Sequence, residues 1–277
     1  MIRPWSYQDR EGLIATGIEI LNGRIVILNE QTPGAFCYLC SVRNYPPKLH
    51  AIRGLLGCCF LLEDGENSVM LDTGLAGEMF LLRRKVAKLG LTPKSVKTIL
   101  LSHGHLDHAG NLAEMKRWTG AKVLAHPAEQ AHVDGKYPYQ GVARWCGRLE
   151  AFGRGVLGYE PAMIDEPLAD GQWLPLWGGL QVIHLPGHTL GHCGFFSEKY
   201  NLLFCGDMFA STFSVHQPPT FLNTAPEQLL ASAEKIRRLK PRWIIPFHFL
   251  RLDGETQRRC FAKAYGFEDW EPVSSGP

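Results

Sequence analysis

The sequence has almost no net charge, no long apolar run and no basic, apolar leader at its N-terminus. Lys and Arg number 29 against 27 Asp and Glu, which leaves a formal net charge of +2. This balance does not favour nucleic acid or an anionic membrane as a partner. Residues 1–30 lack the features of a secretory signal peptide, and apolar runs such as 55–62 are far too short to span a bilayer. The expected compartment is therefore the cytoplasm.

The eight cysteines also lack the setting of a disulfide framework. A chain of 277 residues buries enough surface to fold without such bonds, and the expected compartment is reducing. The Cys37-X-X-Cys40 pair has no second pair to complete a zinc site. Cys193 and Cys205 lie in apolar, strand-like runs. We therefore expect mostly reduced, buried cysteines, with these two in the core and not in catalysis.

Composition and apolar periodicity indicate one globular domain over residues 1–277. Hydrophobic residues make up 45% and charged residues 20%, with 29 Gly and 18 Pro, as in an enzyme with many tight turns. Strands are predicted at 12–20, 24–28, 55–62, 68–71, 96–101, 122–125, 181–185, 193–197, 202–205 and 243–246. Helices are predicted at 77–89, 111–119, 127–133, 255–265 and 225–239, the last with Thr224 as its N-cap. Strands followed by α/β alternation, twice over, predict an α/β fold with two sheets face to face and helices outside.

The most informative motif directly follows the predicted strand 96–101 and reads Ser-His-Gly-His-Leu-Asp-His-Ala-Gly over residues 102–110. One glycine-bearing loop thus holds four potential metal ligands: His103, His105, Asp107 and His108. Imidazole nitrogens and a carboxylate suit Zn(II) and would also accept Fe, Mn or Co. The motif predicts a metal site, because one loop rarely combines four such donors by chance.

One short loop cannot surround two metal ions, so further donors must come from elsewhere in the chain. Three occur, each after a predicted strand: His188 in Pro-Gly-His, Asp207 in Cys-Gly-Asp and His248 in Pro-Phe-His. An α/β scaffold gathers loops at strand ends along one edge of its sheets. We therefore expect all these side chains to share one pocket.

The order His-X-His-X-Asp-His, Gly-His, Gly-Asp and a final His resembles the metallo-β-lactamase-fold hydrolase superfamily. The resemblance runs from Asp72-Thr73-Gly74, which is similar to an Asp-Thr-Gly turn of that family, to His248. It implies an αβ/βα four-layer sandwich, in which two mixed β-sheets pack face to face with helices outside. The metal ions would lie at one edge between the sheets.

The resemblance also implies how the ligands divide between two divalent metal ions, with Zn²⁺ expected first and Fe or Mn as alternatives. The first ion would be held by His103, His105 and His188. The second ion would be held by Asp107, His108 and His248, and the bridge between the two ions would be Asp207. Two supporting residues are expected: Asp72 would orient a ligand histidine, and His192 would hydrogen bond near residues 102–110, which we call the metal loop.

Two cations a few ångströms apart would lower the pKa of a bridging water from ~15.7 toward ~7, and so supply hydroxide as the nucleophile. Asp107 is expected to accept or relay a proton as well as to bind metal. The leading hypothesis is a dinuclear hydrolase of an ester, lactone or thioester. Two alternatives stay open: a phosphodiesterase or phosphotriesterase at the same site, and a mononuclear iron sulfur dioxygenase. A degenerate binding protein is disfavoured by the complete ligand set.

Residues that differ among branches of the superfamily narrow the range of expected substrates. Asp207 stands where one common type of zinc β-lactamase has cysteine, and it resembles the bridging residue of glyoxalase II and of acyl-homoserine-lactone lactonases. The lactonases carry a tyrosine soon after that aspartate, whereas residues 208–211 here read Met-Phe-Ala-Ser. The basic contacts to glutathione of glyoxalase II relatives are not recognisable either. These differences disfavour acyl-homoserine lactones and glutathione thioesters as substrates within the ester, lactone and thioester class.

The segment 135–170 is rich in aromatic residues and is the expected lid or pocket wall. Its aromatic side chains would suit a small-molecule substrate with an apolar acyl or aryl part. The alternative is a helical hairpin that covers a sheet or forms a homodimer contact. His126 is a candidate pocket residue, whereas surface or core positions are expected for His50, His132, His184 and His216.

Overall fold

The computed structural model describes residues 16–21, 24–29, 46–136, 139, 144–211, 214–248, 254–267 and 270. Contacts divide the chain into two compact units, Met1–Ser41 and Val42–Pro277. The first unit contains an antiparallel hairpin of β1 (Thr16–Leu21) and β2 (Arg24–Asn29). The prediction of a single domain over 1–277 stays a prediction. Cys37 and Cys40 lie outside the described residues.

The second unit contains two large mixed sheets. Its strands are β3 (Leu49–Arg53), β4 (Cys58–Leu62), β5 (Ser68–Leu71), β6 (Val96–Leu100), β7 (Lys122–Ala125), β8 (Glu166–Pro167), β9 (Trp173–Leu174), β10 (Leu180–His184), β11 (Cys193–Ser197), β12 (Leu202–Gly206), β13 (Ala210–Ser211), β14 (Val215–His216) and β15 (Trp243–Pro246). One sheet has the strand order β3-β4-β5-β6-β7-β8 and the other β15-β12-β11-β10-β9. In the first sheet β5 to β8 run parallel, and in the second β15 joins β12 in parallel.

Helices connect the strands and cover the outer faces of both sheets. They are α1 (Met79–Lys88), α2 (Leu106–Ala109), α3 (Leu112–Thr119), α4 (Gln130–Val133), α5 (Arg144–Val156), α6 (Leu229–Leu239) and α7 (Gly254–Tyr265). None of these described helices combines the length and the apolar composition that a membrane-spanning helix requires.

Three apolar clusters hold the layers together. The central cluster lies between the two sheets, where Phe60 of β4 and Phe204 of β12 have ring centroids 5.4 Å apart. A second cluster packs α1, through Leu82 and its neighbours, against the other face of the six-stranded sheet. The third packs α6 and α7 on the five-stranded sheet through Ile236 and Phe261. The layer order helix, sheet, sheet, helix confirms the predicted four-layer α/β sandwich.

Two predicted boundaries were wrong for local reasons. The strand predicted at 55–62 begins only at Cys58, because the backbone turns before it: Gly54 N–H donates to the Gly57 carbonyl at 2.8 Å. The turn joins β4 to β3, a strand that the apolar pattern did not predict. The helix predicted from 225 begins as a 3-10 turn at Pro226, and α6 follows with Gln228 as its N-cap. Thr224 is therefore not the N-cap.

Helix α5 falls in the segment expected to be a lid or pocket wall, for which a helical hairpin was the alternative, but no helix bounds were predicted there. Its sequence contains Gly147, Gly153 and Gly155. Glycine is a poor helix former, so local propensity gave no signal here. The helix exists because its inner face packs on the loop after β6, as described below.

Candidate metal centre

The structure brings all the predicted ligands together in turns that follow four strands. The His-X-His-X-Asp-His loop follows β6 and runs into α2, and the other three ligands follow β10, β12 and β15. Glycine makes two of these turns possible. Gly206, with φ +53°, precedes Asp207, and a Cβ there would lie 2.4 Å from His192 Nε2. Gly187, with φ +142°, precedes His188 in the same way.

The first ligand group is a buried cluster of three imidazoles. His103 Nε2 lies 3.1 Å and His188 Nε2 3.0 Å from His105 Nδ1. Burial, followed by the neighbouring imidazoles, lowers the pKa of His103 and of His105 well below the usual value. The rings are therefore neutral, which is the form that binds a metal ion.

The outward nitrogens of this first group are held by hydrogen bonds. His188 Nδ1 lies 3.0 Å from Asn223 Oδ1, so His188 donates there and its Nε2 lone pair faces the cluster. His105 Nε2 lies 2.6 Å from the Tyr139 hydroxyl. Such partners fix the orientation and tautomer of a metal-binding imidazole.

The second ligand group lies nearer to solvent. His248 Nε2 is 3.2 Å from Asp107 Oδ2, and each of these two side chains is 20% exposed, whereas that of His108 is buried. His248 donates through Nδ1 to the Leu56 carbonyl at 2.7 Å. Burial lowers the pKa of His108, but the carboxylates of Asp207, Asp107 and Asp72 outweigh it and raise this pKa to about 10. The group thus attracts positive charge.

Asp207 faces both groups. Its Oδ2 lies 3.1 Å from His248 Nε2 in the second group and 3.5 Å from His188 Nε2 in the first. Its Oδ1 lies 3.2 Å from His108 Nε2. Burial opposes ionisation of Asp207, but His248 and His108 hold the pKa of this carboxyl well below its usual range.

The residues present fit divalent cations. His108 Nε2 and Asp207 Oδ1 are buried 3.2 Å apart, and neither atom has a further hydrogen-bond partner among the described residues. Buried polar atoms without such partners are rare in proteins. Each ligand group also offers three donor atoms within 4.8 Å of one another, as the coordination of one ion requires. A cation in each group would satisfy these atoms.

Asp72 and His192 both contact residues of the candidate ligand set, and the supporting role of each stays a prediction. Asp72 Oδ2 lies 3.0 Å from His108 Nδ1, and its two oxygens accept from the backbone and hydroxyl of Ser102 at 2.7 Å each. Its φ of +56° is unusual for a residue other than glycine, and strain of this kind gathers at functional sites. His192 Nε2 accepts from the backbone N–H of Asp207 at 3.0 Å.

Glu129 is a supporting residue that sequence reasoning missed. Its carboxylate is buried and accepts three hydrogen bonds of 2.7 Å, from Gly104 N–H, Thr189 Oγ1 and Gly191 N–H. Burial raises the pKa of Glu129 to about 7, against the lowering effect of these donors. The carboxylate therefore ties the His103–His108 loop to the turn of His188. In the sequence, the one signal for Glu129 is its position shortly after β7.

Helix α5 supplies a second set of supporting residues that were missed. Glu150 accepts from Leu106 N–H at 3.0 Å, from the Tyr139 hydroxyl at 3.0 Å and from Arg154 at 2.8 Å. Arg154 also donates to the Gly104 carbonyl at 2.9 Å. His105, His132 and Glu150 form another possible ligand group, but the Arg154 guanidinium already neutralises Glu150. The inner face of α5 thus holds the metal loop.

Of the other histidines, His132 lies beside a member of the ligand set, whereas the contacts given below for His50, His126, His184 and His216 are to other groups. His126 and His184 stack in parallel with ring centroids 4.4 Å apart. His50 pairs with Glu63 at 2.9 Å, and His216 lies beside the Gln217 carbonyl. His132 is buried near the rings of His105 and Tyr139. Pocket lining by His126 stays a prediction.

Comparison with known proteins agrees with this geometry. The model of the metallo-beta-lactamase superfamily matches residues 52–248. Hydroxyacylglutathione hydrolase GloC of Haemophilus influenzae is 28% identical over 152 residues, which cover 54% of this chain and 65% of that protein. The match thus spans slightly less than two thirds of that relative.

Two solved structures share the fold. A metallo-beta-lactamase family protein from Thermus thermophilus is 24% identical with a TM-score of 0.65, over 81% of this chain and 80% of that one. The class B3 di-zinc metallo-beta-lactamase LRA-12 from an Alaskan soil metagenome is 20% identical with a TM-score of 0.60, over 80% and 89%. With the matching family model, the ligand motif and the four-layer sandwich, this chain belongs to the metallo-beta-lactamase superfamily of metal-dependent hydrolases.

Proposed function

We propose that this protein is a dinuclear metal-dependent hydrolase that cleaves the ester, thioester or lactone bond of a small substrate. The observation that carries the proposal is the position of Asp207, whose carboxylate lies 3.1 Å from His248 and 3.5 Å from His188. One carboxylate between two ligand groups suits a bridge between two metal ions. LRA-12, a protein of the same fold, is a di-zinc metallo-beta-lactamase, which supports the same number of ions here.

The first ion would be held by His103, His105 and His188, the second by Asp107, His108 and His248, and the bridge would be Asp207. When bound, the ions would lower the pKa of water toward neutrality and polarise the scissile carbonyl. We expect Zn²⁺, since neutral imidazoles and carboxylates are its ordinary ligands, with Fe or Mn as alternatives.

Other roles, in proton transfer and in positioning the ligands, fall to the chain's own residues. Partial burial opposes ionisation of Asp107, but His108 and His248 hold its pKa below the usual value. Asp107 is therefore an ionised carboxylate near solvent, where we propose that it accepts and relays a proton. Asp72 and Asn223 hydrogen bond to the rings of His108 and His188. Glu129 fixes the backbone near His103 and His188, so that little reorganisation is needed during the reaction.

An apolar rim supports a substrate with an apolar acyl or aryl part. Leu55 and Leu56 form the exposed tip of the β3–β4 turn, at 80% and 50% exposure. The Leu56 carbonyl accepts from His248, so this tip adjoins the second ligand group. Glutathione contacts were not recognisable in the sequence, whereas GloC is a hydroxyacylglutathione hydrolase. We therefore propose thioesters with a small apolar acyl group as the first substrates to test. The cytoplasmic location stays a prediction.

The test begins with metal content per chain, measured by mass spectrometry on protein purified without added metal. Hydrolysis of a matched aryl ester, thioester, lactone and phosphodiester is then measured before and after chelation and after Zn²⁺ is restored. We expect about two metal ions per chain and acyl hydrolysis that is lost and recovered with metal.

Other outcomes would overturn parts of the proposal. One iron per chain with oxygen uptake and no hydrolysis would replace it by a sulfur dioxygenase. Two ions with cleavage of the phosphodiester alone would keep the metal centre and reject the acyl substrate class. Two ions without any chelator-sensitive hydrolysis would reject the hydrolase function.

A further inference from the structure

The outer face of α5 carries an exposed apolar stripe. Trp145, Leu149, Phe152 and Val156 are 68%, 72%, 69% and 67% exposed. Their spacing of four, three and four residues places them on one side of the helix. We refer to these four residues as the α5 stripe. Isolated exposed apolar residues are ordinary, but a continuous patch marks an interaction site.

The stripe cannot turn inward, because the opposite face of α5 is fixed. Glu150 accepts from Leu106 N–H and pairs with Arg154, which donates to the Gly104 carbonyl. At Gly153 the helix approaches α2 so closely that a Cβ would lie 3.2 Å from Leu106 Cδ2. Any rotation that buried the stripe would pull these groups off the metal loop.

We propose that the α5 stripe is the contact through which two copies of this chain form a symmetric dimer. At these exposures the four side chains offer roughly 500–600 Å² of surface per copy. Two copies together would bury on the order of 1,000 Å², which is about the minimum for a biological interface and fits a weak, specific dimer. A two-fold axis lets the same stripe cover itself, so no other partner surface is needed.

Charge favours an antiparallel pair of α5 helices. Arg144 and Arg148 lie in the N-terminal half, with the Arg148 guanidinium 4.8 Å from the centre of the Trp145 ring. Glu150 is the one acidic residue of the helix, and it faces inward. In an antiparallel pair the arginines meet the C-terminal half of the other helix, where the helix dipole is negative. A parallel pair would place the arginines of both copies side by side.

An anionic membrane is the alternative occupant, since Trp and Arg also occur on helices that lie on bilayers. The chain has a net charge of only +2, and two arginines adjoin the stripe. That is a small attraction, because helices that bind anionic membranes carry clusters of about four to eight basic residues. The self-matching area therefore favours a second copy.

The test is sedimentation equilibrium of the metal-loaded full chain from about 1 to 100 µM, which brackets a weak specific dimer. Leu149→Asp and Phe152→Asp place a charge in the stripe. Leu230→Asp, at another exposed leucine with 62% exposure in α6, is the matched control. We expect a dimer for the wild type and the control, and a dissociation constant at least about 100-fold higher for the stripe variants.

Hydrogen exchange of the wild type at both ends of this range tests the same surface without a substitution. Amides of α5 are expected to gain protection as the dimer forms. A wild type that stays monomeric, stripe variants that dimerise as before, or protection that rises elsewhere would each overturn the proposal. Binding of the monomer to anionic vesicles, lost in Leu149→Asp, would overturn it in favour of a membrane contact.

Discussion

The two ligand groups of the metal centre differ in how they are built. In the first, His103, His105 and His188 are all buried, and their facing nitrogens lie 3.0 to 3.1 Å apart. In the second, Asp107 and His248 each keep 20% of the side chain exposed. The first group is neutral and surrounded by hydrogen bonds, whereas the second gathers carboxylates.

The difference indicates a division of labour. A buried, oriented cluster of neutral imidazoles is suited to hold an ion tightly, since its ligands need little rearrangement to bind. A more exposed group beside the apolar rim of Leu55 and Leu56 is suited to exchange water and to admit substrate.

Replacing Asp207 by alanine removes the carboxylate that both groups share. We expect kcat/KM for the best substrate to fall by more than about 10³-fold, because stabilisation by two ions is worth several kcal/mol. Metal content should fall below two ions per chain in the same protein. Glu114→Gln, at an exposed carboxylate paired with Arg83, is the control and should change neither value. Unchanged activity in Asp207→Ala would disprove the bridging role.

His188→Ala and His248→Ala should show which of the two ligand groups holds its metal ion more tightly. His248→Ala is expected to keep about one metal ion per chain, because the three buried imidazoles remain. His188→Ala removes a member of the tighter group and should retain less metal after the same dialysis. Metal analysis after timed exposure to a chelator measures both. If His248→Ala lost all of its metal while His188→Ala kept it, the assignment of the tighter group would be reversed.

Replacing either supporting carboxylate should weaken metal binding by the ligand group that it supports. Glu129→Gln places an amide N–H among donors that now meet a carboxylate, and we expect about 10- to 100-fold weaker binding of the first ion. Asp72→Asn loosens His108 and should weaken the second ion by a similar factor. Competition with a chromophoric zinc chelator resolves the two affinities. An equal loss at both ions in either variant would indicate general unfolding, and would contradict separate support.

Replacing the buried cysteines should have the smallest effect on activity. Burial raises the pKa of the Cys58 thiol to about 12 and raises that of Cys193 and of Cys205 as well. We expect Cys193→Ala and Cys205→Ala to keep kcat within about twofold, since thiols of this kind are inert. Iodoacetamide should label these positions only after denaturation, with Cys260, which is partly exposed, as the reference. Labelling of the native protein with loss of activity would contradict this.

Much of the centre was predictable because its ligands are local features of the chain. Residues 102–110 place four donors in one loop, and His188, Asp207 and His248 each follow an apolar strand. The sheets are mostly buried, so their strands appear in the sequence as continuous apolar runs. The bounds of α5 could not be predicted, because its three glycines lower the local helix propensity and tertiary contacts stabilise the helix.

Residue type and short spacing were enough to name the candidate ligands and the strands that carry most of them, because both are local properties of the chain. Apart from Asp72 and His192, the groups that hold these side chains in place became visible in the tertiary structure alone. Glu129 reaches Gly104 from 25 residues away, Tyr139 reaches His105 from 34, and Asn223 reaches His188 from 35. A hydrogen bond depends on distance and angle in space, and a single sequence carries no record of contacts between positions so far apart.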